Sequence, residues 1–242
     1  MLELVNLSKN YGRKTALSHV SVTLESGLYG LLGPNGAGKS TLMQIITDNL
    51  LPDEGEVLWN GERAKKMGES YRELLGYMPQ QQGLYQGFTG RRFLNYLAVL
   101  KNVPKKEMRE QVETAAKAVN LEAEIDRKIG GYSGGMKQRL LFASALLGKP
   151  EILIFDEPTA GLDPKERVRI KRLLEQLSQD KIIIIATHIV PDIENIAKEI
   201  ILLKEGQVVE KQKPEVLIEK YAEKGSLEDV YMHIFGQEGG KG

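Results

Sequence analysis

The stretch GLLGPNGAGKST, residues 30–41, decides the fold of this chain. It begins within a short apolar run, residues 28–32, and leads into a helix-compatible segment, residues 42–47. This is the order of a strand, a glycine-rich turn and a helix. Glycines allow the backbone amides of such a turn to point inward at an anion, because side chains would block the close approach. The helix that follows directs its unpaired N–H groups at the same point.

The turn fits the pattern of a phosphate-binding loop. Gly33, Gly38, Lys39 and Ser40 occupy the positions that define this pattern. Lys39 is expected to reach the β- and γ-phosphates of a nucleotide, and the Ser40 hydroxyl is expected to contact Mg²⁺. The plain alternative is a glycine turn before an ordinary helix, but the flanking strand and helix favour the phosphate site. The whole predicted cradle is Gly33, Pro34, Asn35, Gly36, Ala37, Gly38, Lys39, Ser40 and Thr41.

Composition limits the classes of protein that the chain can belong to. The 242 residues include 33 basic and 33 acidic side chains, so no global basic field attracts nucleic acid. The chain has no cysteine, and its beginning does not resemble a signal peptide, which favours the cytoplasm. Its apolar runs are too short to cross a bilayer. We therefore expect any association with a membrane to depend on a partner protein.

Three patterns divide the chain into regions. Up to about Trp59, short runs alternate between apolar and polar residues and predict an antiparallel β region, with Asn60-Gly61 as a hairpin signal. Helical periodicity over residues 88–147 then predicts an inserted lobe of helices. We assign residues 1–84 and 148–212 to a nucleotide-binding core that includes the antiparallel region, and residues 85–147 to the lobe. Residues 213–242 form a C-terminal tail, whose glycine-rich end, residues 236–242, is predicted to be disordered.

Two continuous apolar runs, residues 152–155 and 182–185, are typical of parallel strands buried on both faces. Between them, Asp163 opens an amphipathic helix, whose apolar face is predicted to include Val168 and Ile170. The three segments together outline a βαβ unit.

Polar residues follow these strands, where open parallel sheets bind their ligands. Asp156 is placed to organise Mg²⁺, and Glu157 to accept a proton from an attacking water. For His188, contact with the γ-phosphate and an ordinary capping or packing role both remain open. Gln80 follows a short strand and can coordinate the metal or orient water, but the glutamine run at residues 80–82 is equally compatible with a polar turn.

A second anion-directed helix end is predicted far along the chain from the phosphate loop. Ser133, Gly134 and Gly135 precede a strong helical run, residues 137–147. Ser133 can cap this helix, and the two glycines also permit an anion to approach closely. One nucleotide hardly needs two such helix ends in one chain. Two chains arranged head to tail would use both.

Taken together, these residues resemble the nucleotide-binding subunit of an ATP-binding cassette (ABC) transporter, over residues 2–208. The signature differs slightly from the family's usual Leu-Ser-Gly-Gly-Gln, since Tyr132 and Met136 replace its first and last residues. In the family's order, the resemblance implies Tyr11 as the adenine-stacking aromatic, residues 33–41 as Walker A, Gln80 as the Q-loop, Ser133, Gly134 and Gly135 as the signature, residues 152–156 as Walker B, Glu157 as catalytic base, Asp163 in the D-loop and His188 as the switch histidine.

The resemblance implies an α/β fold: a phosphate-loop NTPase core with an antiparallel β subdomain and an inserted helical subdomain. It implies ATP and Mg²⁺ as cofactors, with Lys39, Gln80, Glu157 and His188 in catalysis and with Ser40, Gln80 and Asp156 at the metal. Two copies, or two paired ATPase subunits, would clamp two ATP molecules, each between one phosphate loop and the other signature, and would reopen after hydrolysis.

Dimer closure would drive a membrane-spanning permease subunit, with the ATPase peripheral on the cytoplasmic face. Residues 135–140 and 226–230 resemble those of exporters whose membrane parts are separate polypeptides. Tyr85, Phe88, Phe93 and Tyr96 follow Gln80 and either line a groove for the permease or form the core of the lobe.

Two other functions predict different features of the sequence. A soluble ATPase of the same family acting on nucleic acid or ribosomes predicts a coiled-coil or zinc insertion, tandem cassettes or a basic stripe, and the sequence contains none of these, so no nucleic-acid partner is expected. A nucleotide-gated scaffold without hydrolysis is disfavoured because Glu157 and His188 are present.

Overall fold

The computed structural model describes residues 1–80, 83–223 and 225–236. Its strands are β1 (Leu2–Tyr11), β2 (Lys14–Leu24), β3 (Gly27–Leu32), β4 (Glu54–Trp59), β5 (Glu62–Arg63), β6 (Leu75–Met78), β7 (Ile152–Asp156), β8 (Ile182–Ala186), β9 (Glu199–Lys204) and β10 (Gln207–Gln212). Its α-helices are α1 (Lys39–Ile46), α2 (Ala64–Met67), α3 (Glu69–Glu73), α4 (Gly90–Leu100), α5 (Lys105–Ala118), α6 (Gly134–Ala145), α7 (Pro164–Leu177), α8 (Pro214–Tyr221) and α9 (Leu227–Phe235).

The first sheet is antiparallel and has the order β2-β1-β4-β5, as the N-terminal alternation predicts. The turn between β4 and β5 is Asn60-Gly61, and both residues have positive φ angles, of 50° and 81°. A two-residue turn with this backbone matches the twist of the strands that it joins. The hairpin prediction is therefore confirmed.

The second sheet has the order β10-β9-β3-β8-β7-β6, and all its neighbours are parallel except the β10–β9 pair. Every residue of β3 and β8 is buried, which explains why these strands are apolar without alternation. Because β3, β8, β7 and β6 are adjacent and parallel, the segments that follow them meet at one edge of the sheet. That edge carries the glycine loop, His188, the Asp156–Glu157 pair and Gln80.

Helices α4, α5 and α6 form the inserted lobe. Val112, Ala115 and Ala116 are the buried face of α5, as its periodicity predicts. The apolar core of the lobe continues into the second sheet, since the rings of Phe142 on α6 and Phe155 on β7 stack with centroids 4.4 Å apart. The lobe is therefore packed firmly on the strand that carries Asp156.

Two helix predictions need correction. Val168 on α7 is 48% exposed, whereas Ile170 is fully buried. The two residues are two positions apart, or about 200° around a helix, so they cannot share one face. Helices α1 and α6 begin at Lys39 and Gly134, earlier than the apolar patterns that start at positions 42 and 137.

The C-terminal tail folds into α8 and α9. Ser226 and Asp229 form a capping box at the start of α9, and Leu227, Val230 and Phe235 are the buried residues of the helix. These side chains belong to the same core as the second sheet. The prediction of disorder at the end of the chain concerns residues 237–242, which lie outside the described part, and Gly236, which is the C-cap of α9.

Candidate nucleotide-binding site

A cavity of about 730 Å³ lies at the predicted edge of the second sheet. It brings together most of the predicted site: Tyr11, Gly33, Pro34, Asn35, Gly36, Gly38, Lys39, Ser40, Thr41, Gln80, Asp156, Glu157 and His188. Lys14, Ala16, Thr187 and Tyr231 also line it, and sequence reasoning missed them. Ala37 belongs to the loop but is buried beneath it. The two glutamines after Gln80 lie outside the described residues.

The loop keeps its shape because two glycines fit where no side chain can. A Cβ atom on Gly33 would lie 2.2 Å from the carbonyl oxygen of Leu203, and one on Gly38 would lie 2.4 Å from that of Ala16. Gly38 also has a φ of 108°, which L side chains rarely adopt. The loop therefore sits directly against β9 and the β1–β2 hairpin. This close packing fixes the direction of the amides at the start of α1.

Lys39 is held inside the loop. Its Nζ donates hydrogen bonds to the carbonyl oxygens of Gly33, at 2.6 Å, and Pro34, at 3.0 Å. Burial lowers the pKa of Lys39, while the carboxylates of Asp156 and Glu157 oppose that change. Lys39 thus lies with two acids in a partly desolvated space, where electrostatic interactions are stronger than in water.

Asp156 ends β7 and faces this cation. Burial and the neighbouring Glu157 raise the pKa of Asp156 to about 6, and Lys39 lowers it in part. The carboxylate therefore lies where its charge is poorly compensated by protein groups. A bound cation would supply the missing compensation.

Glu157 and His188 are directly paired. The Nδ1 atom of His188 lies 2.7 Å from Oε1 of Glu157, and the backbone N–H of His188 donates to the same oxygen at 3.0 Å. Thr187 Oγ1 donates to the other carboxylate oxygen, Oε2, at 2.9 Å. Glu157 also has a φ of 54°, an unusual value for a residue with a side chain. The loops after β7 and β8 thus hold one carboxylate in a fixed orientation at the cavity wall.

The signature residues and Asp163 are not among the residues that line the cavity. Ser133 is the N-cap of α6, where its Oγ accepts from the backbone N–H of Met136 at 3.2 Å, and Gly134 and Gly135 are the first residues of this helix. Asp163 is the N-cap of α7. Helix α6 still reaches the site, because Nε2 of Gln138 donates to the carbonyl oxygen of Glu157 at 2.7 Å.

The four additional lining residues differ in whether the sequence contains a signal for their position in the site. Thr187 precedes His188 at the end of a predicted strand, so its position alone gave a usable signal. Lys14 and Ala16 follow Tyr11 in the next strand of a hairpin and could have been included with it. Tyr231 had no such signal, because only the packing of α9 brings the tail to the cavity.

An aromatic surface lies beyond Gln80. Tyr85 and Tyr96 are 51% and 40% exposed, and the ring of Tyr85 stacks on that of Phe88 with centroids 4.9 Å apart. The guanidinium group of Arg92 also lies over the ring of Phe88, 4.1 Å from its centroid. Phe93, in contrast, is buried in the core of the lobe. Of these four aromatics, Phe93 is therefore part of the lobe core, whereas Tyr85 and Tyr96 lie at the surface.

Comparison with known proteins identifies the architecture. A family model described as ABC transporter matches residues 17–160. The chain is 36% identical to the ABC transporter ATP-binding protein YxlF of Bacillus subtilis, over 86% of this chain and 69% of that protein. It is 35% identical to the Nod factor export ATP-binding protein I of Rhizobium sp. strain N33, over 91% of this chain and 73% of the relative.

Solved structures agree. An ATP-binding subunit of an ABC transporter superposes with a TM-score of 0.86 at 28% identity, over 96% of this chain and 98% of the other. A dimeric ATP-binding cassette in a post-hydrolysis state with ADP and Pi gives a TM-score of 0.79 at 28% identity, over 88% and 98%. Of the helices in the described ranges, none is long and apolar enough to cross a bilayer. With its phosphate loop, strand order and helical lobe, the chain belongs to the ABC transporter family and contains the ATP-binding cassette.

Proposed function

We propose that this chain binds and hydrolyses ATP as the energy-supplying subunit of a membrane transporter, through ATP-driven closure of a dimer. The observation that supports this most directly is the arrangement of one cavity: Lys39 and the loop amides face the paired Glu157 and His188. Such a cavity can hold a triphosphate at one end and a water-activating carboxylate at the other. Phosphoryl transfer needs mainly positioning and charge stabilisation, which these groups supply.

The chain's own groups divide this work. Tyr11 stacks on the base, the amides of residues 33–41 hold the phosphates, and Lys39 turns from the loop carbonyls to the β- and γ-phosphates. Glu157 accepts the proton of the attacking water, while His188 contacts the γ-phosphate and holds Glu157 in place. Ser40, Gln80 and Asp156 fit Mg²⁺, because this ion takes few carboxylates together with phosphate oxygens. Mg²⁺ would neutralise charge that develops on the phosphates.

A second copy completes the site. Ser133 and Gly135 begin a helix whose N–H groups can receive an anion, yet they do not face the cavity of their own chain. A head-to-tail pair gives each signature a phosphate from the other chain, with Asp163 at the contact. A similar cassette of known structure is a dimer with ADP and Pi.

The transport role rests on the relatives and on the surface beyond Gln80. Relatives at 34–35% identity are named Nod factor export proteins, which favours export. The exposed rings of Tyr85 and Tyr96 offer a docking surface beside the Q-loop for a membrane-spanning permease. The ATPase would then lie on the cytoplasmic face of the membrane, attached through that partner. The rival function on nucleic acid predicts tight binding of duplex DNA at physiological salt, and we expect none.

The test is a trapped dimer. Glu157→Gln keeps an oxygen that can accept from the His188 amide but removes the base, so turnover should fall about 10²- to 10⁴-fold while ATP still binds. With saturating Mg·ATP, light scattering should report a dimer. Adding Ser133→Arg should return the chain to a monomer that binds ATP, whereas the exposed-site control Thr114→Arg should leave the dimer intact. A Glu157→Gln chain that stays monomeric, or turns over normally, would refute the proposal.

A further inference from the structure

The C-terminal helix α9 reaches the nucleotide cavity. Tyr231, near the middle of α9, lines this cavity together with Tyr11 and Lys14 of the β1–β2 hairpin. The phosphate loop and the strand ends do not account for the presence of Tyr231 in this cavity. The tail therefore contributes a side chain to the ATP site that its place in the sequence does not indicate.

Helix α9 is anchored at several points. The capping box fixes its first turn, and Leu227, Val230 and Phe235 are buried. The backbone N–H of Leu227 donates to Oε1 of Glu194 at 3.3 Å, and the helix packs against the 3₁₀ turn Val190–Asp192, which follows shortly after His188. The packing of α9 on the rest of the fold thus sets the direction of the Tyr231 side chain.

The phenol of Tyr231 is available to a ligand. Its ring contacts that of Phe235, with centroids 4.8 Å apart and the two planes tilted by 57°. Within the described parts of the chain, its hydroxyl makes no hydrogen bond to another residue. Burial raises the pKa of Tyr231, so the hydroxyl stays a neutral donor and acceptor.

The contacts around α9 indicate which part of a nucleotide Tyr231 meets. Near the end of α9, the carbonyl oxygen of Ile234 accepts from Nζ of Lys204 at 3.4 Å. The turn after Lys204 is bonded to the hairpin that carries Tyr11, since Ser18 N–H donates to Gly206 at 2.8 Å. Helix α9 therefore runs from the side of His188 to the side of the hairpin, where the base and sugar would lie.

We propose that Tyr231 is a nucleotide-binding residue that contacts the sugar–base half of ATP across the cavity from Tyr11, so that the C-terminal helix is part of the ATP site. This inference rests on the proposed ATP-binding function. It links the folded tail to the same pocket that drives dimer closure.

The experiment compares two ligands by calorimetry on the full chain: Mg·ATP, and Mg·tripolyphosphate, which lacks sugar and base. Tyr231→Ala should raise the Kd for ATP about three- to ten-fold, as expected for the loss of one aromatic contact. The Kd for tripolyphosphate should not change. Met232→Ala removes the neighbouring side chain, which is 62% exposed, and should change neither value.

A second measurement does not depend on the stability of the alanine variant. In the chain labelled with fluorotyrosine, the resonance that Tyr231→Phe removes should shift on addition of ATP but not of tripolyphosphate. Unchanged ATP affinity in Tyr231→Ala, an equal loss for both ligands, or a resonance that ATP leaves in place would each overturn the inference. Lys39→Ala separates the two proposals: if it also leaves ATP affinity unchanged, the proposed function itself fails.

Discussion

Asp156→Asn should make the nucleotide-free protein more stable while it impairs the site. Asp156 has a pKa of about 6 in the folded chain, against the usual 3.8. The shift of about two pKa units would correspond to about 3 kcal/mol at 1.36 kcal/mol per unit, but Asp156 is only partly buried. Screening by solvent reduces the cost of its charge in the fold, relative to the unfolded chain, to about 1–2 kcal/mol. Asparagine keeps the shape of the side chain without this charge. We expect its free energy of unfolding at pH 7.5 to rise by up to this amount.

The gain should depend on pH with a definite sign. Because the folded pKa lies above the unfolded one, the folded chain binds more protons between the two values, and the cost of Asp156 grows as the pH rises through this window. Above about pH 7 the cost is complete and constant. At pH 4.5 most of the folded carboxyl groups are protonated, and the advantage of the asparagine variant should shrink to about a third of its value at pH 7.5.

The assay is urea denaturation of both proteins in EDTA at the two pH values. Mg·ATP should then reverse the order, since the wild-type chain binds it and gains stability by mass action. The control is Asp53→Asn: a hydrogen bond from Lys9, with another from the Asn10 amide, lowers the pKa of Asp53, so this change should destabilise. An asparagine variant at position 156 that is no more stable at pH 7.5 would refute the reasoning that the site holds an uncompensated acid.

Three further predictions concern the loop, the base and the docking surface. Gly38→Ala should cost about 1–3 kcal/mol in unfolding free energy and weaken ATP binding; Gly36→Ala, where a Cβ meets nothing within 4 Å, should show less of both effects by denaturation and calorimetry. Thr187→Val should lower kcat about ten-fold, because one hydrogen bond to the Glu157 carboxylate is lost, with an unchanged Kd for ATP; equal loss in both would mean that Thr187 acts in binding. Tyr85→Ala with Tyr96→Ala should abolish copurification of a membrane subunit but not ATP binding, and full retention of that subunit would exclude the aromatic surface as its docking site.

The sequence was sufficient for the parts of the site that local chemistry determines. The glycines around Lys39, between a strand and a helix, favour a tight anion-binding turn, and the apolar runs before Asp156 and His188 are typical of buried strands. Parallel strands bring their carboxyl ends together, so the cavity followed from these two facts.

What the sequence could not supply depends on packing in three dimensions. The 2.7 Å contact between Glu157 and His188 depends on how the loops after β7 and β8 are positioned relative to each other. The spacing of residues along the chain does not determine this. The prediction that Val168 belongs to the buried face of α7 was wrong, because an apolar side chain does not by itself indicate on which side of a helix it lies. Tyr231 was missed because the approach of the tail to the cavity is a property of the whole fold.

The hydrogen bond from Gln138 to the backbone of Glu157 has a mechanical consequence. The same helix is capped by Ser133, little more than one turn before Gln138. One end of this helical segment would contact the nucleotide of a neighbouring copy, and the other end contacts the residue that would activate water in the chain's own site. A displacement of one end of this segment would therefore move the other end. In a pair of copies, nucleotide binding at one site would then change the position of Glu157 at the other, and hydrolysis at the two sites would be coupled.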